Sequence, residues 1–310
     1  MANASDEFAL IEWLRAQMAE RRTDRVLLGI GDDAAVVRTS EIGETLIATD
    51  VLLEGVHFSL PDATARDVGH KALAVNLSDL AAMAARPTAA VLGAVFRREL
   101  GEPFARELLQ AAADLADRFA VELVGGDTCI WDGPTMVCVT LMGEPTGRGV
   151  VRRSGAKPGD SILVTGELGG SLAGKHLRFQ PRVEEAIALH AAAQLHAMID
   201  VSDGLAADLN HILRESRVGA VLDAERIPTS DAAHRARDGR SPLEHALGDG
   251  EDFELLFTLA PEDAQHLLAH PPCDVPLTCI GQIVSGSGCQ LRHPDGSLQP
   301  LAPSGWRHRF

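Results

Sequence analysis

Five stretches of the 310-residue chain place carboxylates beside glycine, serine or threonine at the edge of an apolar run. Asp32 and Asp33 sit in GIGDDAA, Asp50 follows Thr49 in TLIATDVLL, and Asp79 lies in NLSDLAAM. Asp127 ends VGGD, and Asp200 and Asp203 occupy IDVSDG. Carboxylates stay in apolar surroundings only when paired or bound to a cation. If these acids converge, mutual repulsion raises their pKa values unless cations intervene. Magnesium suits such a set, because hard oxygen ligands with bridging phosphates are its habitual environment. Singly, each acid also fits an ordinary structural task. Asp32 and Asp33 read as turn or cap residues, and Asp200 and Asp203 as caps for the following helix. Asp50 reads as a strand-end acid, and Asp79 as a polar residue at a helix interface, with Asn76 on the same face. Asp127 follows two glycines, where a backbone can approach a phosphate closely.

Familiar phosphate motifs are missing. GGDT and GELGGS are glycine-rich, yet neither is a G-x-x-x-x-G-K-[ST] loop, and no G-x-G-x-x-G opens a βαβ unit. The acids of DVSDG lack the calcium-loop spacing of an EF-hand. Lys71 and Lys175 fall on predicted helices, where a solvent-facing position is expected. Arg152 and Arg153 flank a glycine turn and could either clamp a phosphate with their guanidinium forks or solubilise a linker.

The elements that must carry these residues follow from pattern. Helices are predicted over 5–20, 64–85, 102–120, 182–197 and 205–217, with a short one over 264–270. Strands are predicted over 45–53, 89–97, 121–125, 135–143, 161–166, 251–260 and 276–286. EPTGRGVVRRSGAKPGD marks a boundary near 145–155, so two α/β domains are expected, 1–149 and 150–310. The chain is 45% hydrophobic, contains no tyrosine and has a formal net charge of −16. That charge argues against nucleic-acid binding. No apolar run is long enough for a membrane span. The opening MANASDEFALIEWL lacks the blocks of a secretion signal, and Cys129, Cys138, Cys273, Cys279 and Cys289 form no C-x-x-C pair. A cytoplasmic protein with no membrane partner is the expectation.

Taken in order, LGIGDDAAV, ATDVLLEGVHF, KALAVNLSDLAAM, VGGDT, RRSGAKPGD, IDVSDGLAADL, GEDFELLFT and a late GW at 305–306 resemble the thiamine-monophosphate kinase family. The resemblance runs from about residue 7 to 306. It implies the two-domain α/β (α+β) fold of aminoimidazole ribonucleotide synthetase-like ATP-binding proteins. The N-terminal sheet would pair with that of a second copy, giving a homodimer with ATP held near the interface. The implied reaction converts ATP and thiamine monophosphate to ADP and thiamine diphosphate, with several Mg2+ ions. The family pattern places magnesium roles on Asp33, Thr49, Asp50, Asp79, Asp127, Asp200 and Asp203. Nucleotide contacts fall on Gly126, Asp127, Arg153 and Ser202, and substrate contacts on His57, Glu251 and Trp306. Asp50, Asp79 and Asp127 would act electrostatically, by positioning metal, while Asp32 shapes the turn or stands behind the ligands. An indole face and a carboxylate suit a cationic thiazolium.

The chain departs from the family pattern at Ala84, where a helix-end glycine is usual, and at Phe253, where tyrosine is usual. The tyrosine expected near adenine has no counterpart, although the acids are all present. The reactive early cysteine of selenophosphate synthetases and the C-terminal cysteine of the hydrogenase-maturation relatives are both absent. A non-catalytic nucleotide- or metal-sensing dimer could dispense with several of the acids, and their retention favours an enzyme.

Overall fold

The computed structural model describes residues 25–39, 43–60 and 62–306, together with 11, 12, 15 and 16. The helix expected over 5–20 lies largely outside the described residues. The first half is built on strands β1 (Val26–Leu28), β2 (Ala35–Arg38), β3 (Glu44–Leu53), β4 (Ala85–Arg97), β5 (Glu122–Trp131) and β6 (Met136–Pro145). They form one sheet in the order β1-β2-β3-β6-β4-β5, antiparallel except for the β4–β5 edge pair. The connection between those two parallel strands contains helix α2 (Gly101–Arg118), as a parallel crossover requires.

Helix α1 (Ala65–Ala82) joins β3 to β4 and begins with a capping box between Thr64 and Asp67. It is buried around nearly its whole circumference, polar residues included, as a helix enclosed by protein must be. Its neighbours are β3, β6 and α2, and also helices α3 (Lys175–Arg178) and α4 (Val183–Ala192) and strand β8 (Leu195–Asp200) of the second half. A single apolar core therefore runs from the first sheet through Leu73 and Leu77 to Met198 and Phe257. At the crossing of α1 and α2, a Cβ on Gly69 would stand 2.0 Å from the Leu108 carbonyl oxygen, so this backbone contact requires glycine.

The second half is a seven-stranded sheet that adds β7 (Ser161–Thr165), β9 (Gly219–Asp223), β10 (Leu255–Leu259), β11 (Leu277–Val284), β12 (Gly288–Arg292) and β13 (Leu298–Leu301) to β8. The order is β13-β12-β9-β11-β7-β10-β8, which puts β8 at one edge, against α1. Helix α5 (Leu205–Ser216) follows β8 and covers its own core of Leu209, Ile212 and Leu213. No helix among the described residues is long and apolar enough to cross a membrane.

The expected departures have structural explanations. Ala84 takes φ 51° just beyond α1, so alanine here occupies the left-handed position that glycine usually fills. Phe253 stacks on Phe179 with centroids 4.0 Å apart, a contact that makes no use of a tyrosine hydroxyl. A second left-handed alanine, Ala120 (φ 53°), ends α2, where the Val121 and Ala120 amides donate to the Ala116 and Asp117 carbonyls. Because Ala120 is exposed, glycine relieves the strain there without leaving a cavity. A120G should raise stability by roughly 0.5–1 kcal/mol, read as a higher midpoint in denaturant unfolding.

Candidate functional site

Where β3, the C-terminal end of α1 and the end of β8 meet, the fold brings together carboxylates far apart in sequence. Side chains of β3 alternate, so Leu46, Ala48, Asp50 and Leu52 face α1 while Thr45, Thr49 and Val51 face away. Asp50 thereby meets Asp79, and the two share a hydrogen bond. Asp200 arrives at the end of β8 and accepts the Ser78 hydroxyl at 2.6 Å. Oxygens of Asp33, Asp79 and Asp200 all lie within 4.8 Å of one another, close enough to share a cation. Asp33 is also held by Arg153, whose Nη2 and Nε donate to its two oxygens at 2.7 and 3.0 Å.

The two acids of GIGDDAA divide their work. Asp33 enters the carboxylate group, whereas Asp32 accepts the backbone amides of Asp33 and Arg153 at 3.2 Å each and so fixes the turn against the interdomain strap. Removal from water, followed by the neighbouring Asp33 charge, pushes Asp32 up to about 7. The same two causes push Asp200 up to about 7. Burial raises Asp50, and burial with the charges of Asp50, Asp200 and Asp33 raises Asp79 well above the ordinary carboxylate range. Burial works against the Arg153 charge, yet Asp33 and Asp32 more than restore it. The group resists full ionisation unless a cation enters.

Beside these acids opens a cleft of about 460 Å³, lined by Asp50, Asp79, Asp200, Ser202 and Asp203 on its polar side. Val56, His57, Phe58, Leu172, Phe253 and Trp306 supply its less polar surface. His57 accepts the Leu53 amide at Nδ1 (3.0 Å), which leaves the ring proton on Nε2. Trp306 is about half exposed at the cleft, anchored by its amide on the Asp203 carbonyl at 3.0 Å. Glu251 is held in a left-handed turn (φ 54°), with its amide on the Ser202 carbonyl at 2.6 Å.

Several expected positions come out differently. Lys71 is fully buried rather than solvent-facing: Asn76, Leu73 and most of α1 are enclosed, and its Nζ donates to both Glu251 oxygens at 2.8 and 2.7 Å. Glu251 is therefore half of an ion pair and not an unpaired anion awaiting a thiazolium. Lys175 is partly exposed and pairs with buried Glu254 at 2.8 Å. The Thr49 hydroxyl lies on the far face of the sheet, donating to the Val139 carbonyl at 3.0 Å, so only its main-chain carbonyl remains on offer near the acids.

Asp127 and Gly126 do not join the acid group within one chain. The register row from Asp50 runs through Val139 and Leu92 to Gly126. Three strand spacings separate its ends, roughly 14 Å. Asp127 belongs to the adjacent row with Val51, Cys138 and Gly93, whose side chains face away from α1. Both residues instead line a shallow hollow with Leu92, Leu109 and Leu123 at the outer strand. Packing within the sheet requires Gly126: a Cβ there would lie 1.9 Å from the Leu92 carbonyl oxygen on β4.

Sequence reasoning missed His176, Asp249 and Leu172 in the cleft wall. It also missed Asp208 and His211, which meet Asp203 one turn into α5. Asp208 accepts the amides of Asp203 and Gly204 at 3.1 and 3.0 Å, and burial drives His211 down to about 4. Their three-residue spacing on one helix was the available signal.

Comparison with known proteins agrees in extent and in kind. Residues 31–144 match the family described as AIR synthase related protein, N-terminal domain, and residues 157–293 match its C-terminal domain. A thiamine-monophosphate kinase of Rhodopirellula baltica is 39% identical over 311 residues, covering 97% of each chain. That of Escherichia coli K12 is 39% identical over 330 residues, covering 98% of each. Among solved structures, one described as AaThiL complexed with AMPPCP and TMP superposes with TM-score 0.83 at 30% identity, over 98% of this chain and 97% of that one. The thiamine-monophosphate kinase of Stenotrophomonas maltophilia K279a gives 0.73 at 40%, over 94% and 98%.

Proposed function

The chain belongs to the thiamine-monophosphate kinase family, and from that premise we propose how its cleft performs the transfer. The reaction is ATP + thiamine monophosphate → ADP + thiamine diphosphate. One observation carries the reading: a buried acid group suited to cations and phosphates opens into the same cleft as an indole and other apolar side chains.

Asp33, Asp50, Asp79, Asp200 and Asp203 would hold Mg2+, with the Thr49 carbonyl as a further oxygen. The donor set fits this ion, being entirely oxygen and too crowded to ionise unaided. Bound magnesium neutralises charge on the phosphates and on the group in flight. Arg153 would exchange its Asp33 partner for nucleotide oxygens, and Ser202 lines the route beside it. Trp306 and His57 would bracket the thiamine moiety, with the indole face towards the thiazolium. The acceptor is a phosphate monoester with a second pKa of about 6. It is largely dianionic near neutral pH, so no protein base has to activate it. Its oxygen forms the new P–O bond in line as the bond from the γ-phosphorus to the β–γ bridging oxygen breaks, and ADP departs.

The proposal includes a homodimer and assigns Asp127 to it. The outer strand and the face of the first sheet turned away from α1 expose Val51, Val91, Leu123, Val124, Ile130 and Trp131. A second copy covering this surface would carry Asp127 and Gly126 to the nucleotide in the partner's cleft. The working division of the chain is 1–149 for dimerisation and nucleotide and 150–310 for completing both sites. A cytoplasmic setting accords with five cysteines that form no disulfide.

Purified protein with ATP and Mg2+ should make thiamine diphosphate from thiamine monophosphate and not from free thiamine, by product chromatography. Turnover of free thiamine alone would overturn the assignment. Cation binding should also leave a pH signature. Asp32 and Asp200 titrate near 7 in the fold against about 4 in an unfolded chain. The folded state thus keeps protons that the unfolded state releases, and the stability they contribute below pH 4 is lost as pH rises towards 7. Magnesium offsets that loss. The rise in Tm on adding Mg2+ should be larger at pH 8 than at pH 5. Taking that difference at each pH cancels the opposing effect of buried histidines.

A further inference from the structure

Behind the residues that line the cleft lies Lys71, whose side chain is fully buried. Its ammonium makes three short contacts: Glu251 Oε1 at 2.8 Å, Glu251 Oε2 at 2.7 Å and the His57 carbonyl at 2.8 Å. His57 belongs to the turn after β3 in the first half of the chain, and Glu251 to the turn before β10 in the second. Both line the cleft. Neither turn is a regular element: Glu251 and Phe253 take left-handed φ values of 54° and 51°, and Gly250 takes 73°. Conformations of this kind persist only where the surroundings over-determine them.

A buried ammonium is costly and is retained only with an anion and full hydrogen bonding. Lys71 has both, from two segments 194 positions apart at Glu251 and His57. It projects from α1, the helix that also presents Asp79 two turns later, so one rigid element sets the metal-side acid and this ammonium together. We propose that Lys71 is a positioning residue for thiamine monophosphate, locking His57 and Glu251 into one substrate wall and cancelling the Glu251 charge beside an anionic substrate. This rests on the assignment of the cleft given above.

The test compares wild type, K71M, E251Q and the double variant, reading KM for thiamine monophosphate, KM for ATP and Tm. K71M should raise the KM for thiamine monophosphate about tenfold or more while the KM for ATP changes less than about twofold. Because Lys71 acts through Glu251, the double variant should be no worse than the poorer single one. K71M/E251Q should regain Tm lost by K71M, as the unpaired, half-buried carboxylate is gone, without regaining KM. K71Q supplies the same kinetic readout should K71M fail to fold. Equal KM values in K71M or K71Q and wild type, or strictly additive effects, would overturn the inference. Absence of wild-type activity on thiamine monophosphate would instead strike the functional assignment on which it rests.

Discussion

D79N should lower kcat/KM by roughly 10²–10³-fold while raising the Tm of the metal-free protein at pH 8. The two effects have one origin. Asp79 is half-buried at the cleft wall among Asp50, Asp200 and Asp33, and its own charge is opposed by theirs. Asparagine keeps the shape of the protonated acid and removes the repulsion, so the empty site relaxes. It also removes the oxygen charge that a shared cation needs, so phosphoryl transfer loses its electrostatic support. Stability and activity moving in opposite directions separates a functional acid from one that merely caps or packs. Turnover close to wild type in D79N at saturating Mg2+ would remove Asp79 from the site, as would a drop in metal-free Tm.

The second large effect concerns Asp127. D127N should lose activity to a similar extent, roughly 10²–10³-fold, with little change in folding, because the side chain is exposed on the outer strand. Strand register puts it three strands from Asp50 and on the other side of the sheet, so in the proposed homodimer its contribution would cross between copies. Subunit mixing exposes that directly. Co-expressed D50N and D127N chains would then form mixed dimers in which one of two sites combines an intact Asp50 with an intact Asp127. With random pairing, activity should recover to about a quarter of wild type. Recovery to no more than either single variant shows would place Asp127 in the site of its own chain.

Much of this arrangement was readable before any coordinates. The apolar runs around Asp50 and Asp200 mark strands, although Asp50 lies within β3 rather than at its end, and the alanine-rich stretch around Asp79 marks a helix enclosed by protein. The ordered motifs tie these acids to one reaction. Which carboxylates meet was not readable, because that depends on α1 crossing from the first sheet to the edge strand of the second. Side-chain direction was equally hidden. Thr49 and Asp50 are adjacent, yet strand alternation sends one to each face. Lys71 looked like any helical lysine, since nothing local announces that a turn 180 residues away will supply its counter-ion. Gly126 answers to a constraint that local pattern does not report, the close backbone approach of β4. Such long-range pairings are set by tertiary packing, which local pattern reports only through burial.

The central claim is that the cleft transfers the phosphoryl group directly between two bound phosphates, with its acids as positioning and charge-stabilising groups and never as phosphate carriers. Stereochemistry at phosphorus tests it in one measurement. ATP carrying a chiral, isotopically labelled γ-thiophosphoryl group, turned over with thiamine monophosphate, should give thiamine diphosphate with inverted configuration at the transferred phosphorus. Retention would mean two successive displacements through a phosphorylated side chain, and would contradict the account.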